Sequence, residues 1–143
     1  VAMKQFPYLG QHTAAILLRV VVCIIFIVHA VVRITNNTID QFGDFLNSKG
    51  LVYGYALVWI LTVFEIAGGL LLAAGLFRRV ISFIFILILL AGIFLIHAEL
   101  GWFVGEHGTG GMEYSVVLIA ALLVIATTPH QQHHKHHHKK TGS

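Results

Sequence analysis

Charge is scarce in this sequence: Asp, Glu, Lys and Arg together supply 10% of 143 residues, against 57% hydrophobic. A soluble domain of this length needs a far more polar surface, so a water-soluble globular fold is excluded. Cysteine is scarcer still, and the lone Cys23 can form neither an intrachain disulfide nor a multi-cysteine metal site. A basic stripe interleaved with aromatics is also missing. The net charge of +3 is scattered over the ends of apolar runs and a terminal His/Lys tract, which sets nucleic acid aside as a partner. Nor does the chain carry a phosphate-binding loop, a nucleophile with an adjacent base, or a metal motif that would mark a self-sufficient enzyme.

What remains is apolar sequence in long runs, with a mean hydropathy of +0.85. Lipid is the solvent such a chain requires, and 143 residues make one compact unit. The expected fold is all-α: an integral membrane bundle of four transmembrane helices over residues 14–127. The first span is placed at 14–34, and it lacks the small-residue cleavage site of a removable signal peptide. The second is placed at 52–77 and the third at 80–98, with Arg78 and Arg79 in a tight turn between them. The fourth, 112–127, is short and ends at Pro129. Lys and Arg beside the spans favour one side, with Lys4, Arg78, Arg79, Lys135, Lys139 and Lys140 facing only Arg33 and Lys49. The positive-inside rule then places both termini in the cytoplasm, and the expected location is a bacterial inner membrane.

Between the first two spans, Ile39, Phe42, Phe45 and Leu46 recur at helical spacing among Asp40, Gln41, Asp44 and Asn47. That pattern fits either a short helix on the membrane surface or a loop capping the bundle. Residues 128–143 are rich in His and Lys, read as disordered and in part purification-related, and are set aside.

Ionisable groups inside an apolar bundle are functional candidates because each costs several kcal/mol unless it finds a partner. Arg19, His29 and Arg33 share a face of the first span with Val22 and Phe26. Glu65 lies halfway along the second, and by charge Arg19 is a candidate partner, although about 10 Å of depth separates them. Depth arithmetic puts His29, His97 and Glu113 within about two turns of the side opposite the Arg78-Arg79 turn. Three helices would thus bring polar groups to one layer, with Glu65 as its floor. Three readings stay open for that layer: a hydrogen-bonded network fixing helix register, a pocket for a small molecule such as a quinone, or a metal or haem site built on His29, His97 and Glu113. Ala67, Gly68, Gly69, Ala73, Ala74 and Gly75 would let helices pack closely.

Taken together, Arg19 and His29, then Glu65-Ile66-Ala67-Gly68-Gly69 followed by Gly75-Leu76-Phe77-Arg78-Arg79, then His97 and Glu113, resemble the DoxX family of small four-helix membrane proteins. The resemblance implies a membrane component of redox complexes, including thiosulfate:quinone and terminal quinol oxidase systems, or an assembly factor for other membrane proteins. Where family members often carry Gly-x-x-Lys after the first-span His, this chain has His29-Ala30-Val31-Val32-Arg33. The cation is kept and its geometry changed. The expected function is a membrane subunit of a quinone-linked oxidoreductase system, partnered by lipid and by a redox protein. His29, Glu65, His97, Glu113 and Arg19 would bind ligand or handle protons there. A non-catalytic assembly or scaffold protein is the alternative. A small transporter, with a pore supplied by a homo-oligomer, is the weaker third.

Overall fold

A computed structural model of the protein describes residues 8–97, 102 and 112–129, with the side chains of residues 96 and 97 left outside the description. The described residues are helical in every regular element and contain no strand. Helix α1 runs over Gln11–Thr35, α2 over Ile39–Ser48, α3 over Gly54–Ala73, α4 over Arg78–Gly92 and α5 over Glu113–Thr127. A π-helical turn, Ile93–His97, extends α4.

Three helical segments are long and apolar enough to cross a membrane: Gln11–Thr35, Gly54–Ala73 and Arg78–Leu95. Their outward faces are those of a membrane protein. Ile60, Val63, Phe83 and Val117 are 66%, 58%, 60% and 65% exposed, a surface that water would penalise and lipid does not. Helix α5 is equally apolar but has 15 residues, about 22 Å of rise against a hydrocarbon core of roughly 30 Å.

The helices form a ring in which α3 packs along α1, α1 along α5, and α5 along α4, while α3 and α4 make the sparsest contact. The core lies inside the ring. Phe26 of α1 stacks on Phe85 of α4 with centroids 4.2 Å apart, and Phe64 of α3 meets Phe85 edge-on at 5.3 Å. Leu72, Leu122 and Ile125 extend this cluster towards the end where α3 turns into α4, and Leu118 joins it from the cavity side. Gly69 sets how closely α3 approaches α1, because a Cβ there would sit 2.7 Å from Cγ1 of Ile27.

The turn from α3 to α4 is built by backbone chemistry. Gly75 takes φ +84°, and the N–H groups of Gly75 and Leu76 donate to the carbonyls of Leu72 and Leu71. This paired bonding satisfies the last free carbonyls of α3 and stops it at a residue with no Cβ penalty. Phe77, also left-handed at φ 51°, then launches α4. Arg78 and Arg79 therefore form the first turn of α4, which corrects the expectation that they lie in the interhelical turn itself. The reversal is complete before them, in residues 74–77.

Helix α2 resolves the choice left open for the segment after α1. It is a helix and it caps the bundle: Ile39, Gly43 and Leu46 are buried against α3 while Asp40 and Asp44 face outward. Two glycines permit the contact. A Cβ on Gly54 would collide with the carbonyl oxygen of Gly43, and one on Gly43 would lie 2.9 Å from Cα of Tyr55. Asn47 secures the crossing by accepting the Gly54 N–H at Oδ1, 2.9 Å away.

Candidate functional site

Helices α1 and α3 are antiparallel, and this orients their ionisable side chains. A helical Cα–Cβ bond tilts towards its own N-terminus. Arg33, near the end of α1, therefore leans back into the bundle, while Glu65 of α3 leans up to meet it. Nη1 of Arg33 donates to Oε2 of Glu65 at 3.0 Å and to Oγ1 of Thr62 at 2.9 Å. Thr62 in turn donates to the Val58 carbonyl at 2.7 Å, so its hydroxyl is satisfied in both directions. The pair is well shielded, with side chains 11% and 5% exposed, and the Arg33 guanidinium lies 5.5 Å from the ring centroid of Phe42 in α2. The aromatic face adds a favourable contact for the buried cation.

Arg19, the partner expected for Glu65 on charge, lies elsewhere. Its Nη2 donates to the Ala73 carbonyl at 3.5 Å, and its guanidinium packs beside Gly75. By the same tilt, Arg19 leans away from Glu65 towards the start of α1. At 1.5 Å per residue Glu65 is about 12 Å along the bundle from Ala73, which is too far for that pairing. Arg19 instead places a cation at the C-terminus of α3, where the helix dipole favours one.

A cavity of about 380 Å³ opens beside the Arg33–Glu65 pair, in the half of the bundle covered by α2. It exists because α3 and α4 are tied together at their turn and part towards the other end. Its walls are mainly apolar, supplied by Ile25 and Phe26 of α1, Leu57 and Leu61 of α3, and Ile88 and Leu89 of α4, with Phe42 and Leu46 of α2 as the cover. Gly92, just before the π-helical turn, adds no side chain and leaves room. Polar groups reach the cavity from His29, Arg33, Glu65, Tyr114 and Ser115. The size and the few convergent polar groups are those of a small-molecule site.

The expected layer of His29, His97, Glu113 and Glu65 is assembled only in part. His29 and Glu65 line the cavity. His29 does so from the flank of α1, because Ala30, about 100° further round the helix, takes the position packed most closely inside the bundle. Glu113 opens α5, where a carboxylate suits the positive end of the helix, but it is not among the lining residues; its neighbours Tyr114 and Ser115 are. The side chain of His97 lies outside the described residues. Among the described residues no group of three His, Cys, Asp or Glu side chains is placed to hold a metal ion. The residues that sequence reasoning missed are Phe42, Thr62, Tyr114 and Ser115, and the role it missed is that of Arg33. Its spacing of four from His29 and the antiparallel tilt were the available signals.

Fold and site together define a helical integral membrane protein with a shielded Arg–Glu pair at the wall of an apolar cavity. The chain belongs to the DoxX family, whose model matches residues 14–98. That match covers α1 to the end of the π-helical turn and stops before α5. Comparison with curated proteins and with solved structures finds no match.

Proposed function

We propose that this protein is a membrane subunit of a quinone-linked redox system and that the cavity beside Arg33 and Glu65 binds the head of a quinone-like molecule. The supporting observation is the pairing of a mainly apolar cavity of about 380 Å³ with a cation whose two hydrogen bonds to Thr62 and Glu65 both leave from Nη1. The other N–H donors of the guanidinium can then serve a carbonyl oxygen. Apolar walls suit a ring and the first part of a tail, and His29, Glu65 and Tyr114 are groups able to exchange protons at the rim. A bound quinone would supply the electron chemistry that these side chains lack, and its redox partner would be a separate protein.

In this reading α5 is the fourth span of a unit covering residues 14–127, and both termini are cytoplasmic in a bacterial inner membrane. The Lys/Arg distribution supports that orientation, which leaves α2 and the cavity facing outward. Single cysteines at Asn47 and Arg79 in a Cys23→Ala background test it in intact cells. Asn47→Cys is expected to react with an impermeant thiol reagent and Arg79→Cys to be protected until the cells are opened. The reverse pattern would invert the topology.

Ligand binding is tested by titrating the purified protein in nanodiscs with a quinone analogue. His29→Ala and Arg33→Lys should each weaken binding roughly tenfold, the worth of one charge-assisted hydrogen bond, with helical content unchanged. Unaltered affinity in both variants would move the preference to a non-catalytic assembly or scaffold protein, in which the polar groups only fix helix register.

A further inference from the structure

Among the described residues, the opposite end of the bundle, where α3 turns into α4, carries cations and no acidic side chain. No Asp or Glu occurs in residues 1–39, 66–98 or 114–143, so α1 and α4 have none, and the only one in α5 is Glu113, at its far end. A narrow cleft at the turn end is lined by His12 and Arg19 from one face of α1, Arg78 from the first turn of α4 and Thr128 just past α5, with Ile16 and Ile125 as apolar sides. Arg19 gives one hydrogen bond to Ala73, yet its Nε is buried with no hydrogen-bond partner among the described residues. The guanidinium of this permanent cation also lines the cleft, and the helices that border the cleft bring no acidic side chain to balance it.

The geometry points to a binding site for the phosphate of an anionic phospholipid in this cleft. Its volume of about 10 Å³ is close to that of one water-sized oxygen, so a single phosphate oxygen would seat while the remainder of the headgroup stays outside. The start of α4 adds the positive end of a helix to the side-chain cations. A lipid fits better than a soluble anion because the cleft lies at the ends of membrane-crossing helices. Leu17, Phe77 and Val124 are exposed, each next in sequence to a lining residue of the cleft, and would carry acyl chains. The site lies at the other end of the bundle from the cavity and stands independently of the quinone proposal.

The test titrates the purified full chain, in neutral detergent at physiological salt, with short-chain phosphatidylglycerol, with phosphatidylcholine of the same chain length, and with inorganic phosphate. Phosphatidylglycerol is expected to bind at least roughly tenfold tighter than phosphatidylcholine, and Arg78→Gln to abolish that preference. Arg79→Gln removes the same charge from an exposed neighbour outside the cleft and should change affinity about twofold at most, since salt screens exposed charges. Should Arg78→Gln fail to fold, His12→Glu at an exposed position must abolish the preference instead. Equal losses from Arg78→Gln and Arg79→Gln, or no preference between the two lipids, would reduce the effect to diffuse surface charge and overturn the site. Inorganic phosphate binding as tightly as phosphatidylglycerol would overturn the lipid as its occupant.

Discussion

Arg33→Met is expected to lower the stability of the protein by about 3 kcal/mol, because it leaves the carboxyl of Glu65 buried between helices without its partner. Thr62 keeps only its bond to Val58, and Phe42 loses the guanidinium above its ring. Glu65→Leu should cost more, since a lone carboxyl can take up a proton whereas Arg33 cannot shed its charge. The informative variant is the double one. With both charges replaced by apolar groups of comparable size, no unpaired group remains, and Arg33→Met/Glu65→Leu should be more stable than either single variant. Denaturation by graded detergent mixtures reads this directly. Losses that simply add would show that Arg33 and Glu65 do not act as a pair.

Gly54→Leu is expected to cost about 2–3 kcal/mol through overpacking at the crossing of α2 and α3. The new side chain would begin where the Gly43 carbonyl already lies, and separating the helices would also break the bond from the Gly54 N–H to Asn47. The predicted consequence is local. Helix α2 lifts from α3 and takes Phe42 and Leu46 from the cavity, while the α1–α3 contact around Gly69 stays closed. Hydrogen exchange should therefore rise across residues 39–48 and remain low in the middle of α3. Protection of α2 equal to that of the unmodified protein would show that the glycine crossing does not hold the cap in place.

Much of this architecture was legible because lipid imposes few solutions. Apolar runs of about 20 residues with no interior proline have to be helices, but the stop at Gly75 was hidden, because the apolar run continues through Leu76 and Phe77 to Arg78. The faces were harder to read. His29 and Ala30 are adjacent, and spacing alone gave no way to decide which would occupy the packed position on α1. The partner of Glu65 was missed for a different reason. Charge alone made Arg19 a candidate, whereas side-chain tilt on antiparallel helices turns Arg19 away and brings Arg33 down. The cavity itself could not be seen in sequence, since it arises from the parting of α3 and α4 and from the cover provided by α2, both tertiary effects. The cation position at which this chain departs from the family's pattern, Arg33, is the residue that pairs with Glu65 beside the cavity.

The most direct measurement is photolabelling of the protein in nanodiscs with a photoreactive quinone analogue, followed by peptide mapping with and without excess unlabelled quinone. Labels that unlabelled quinone displaces are expected in residues 25–33 of α1, 57–65 of α3 and 88–95 of α4 and its π-helical extension, the walls of the cavity beside Arg33 and Glu65. Labelling spread over lipid-facing positions such as Phe83 and Val117, and unaffected by competitor, would contradict a quinone site in this bundle.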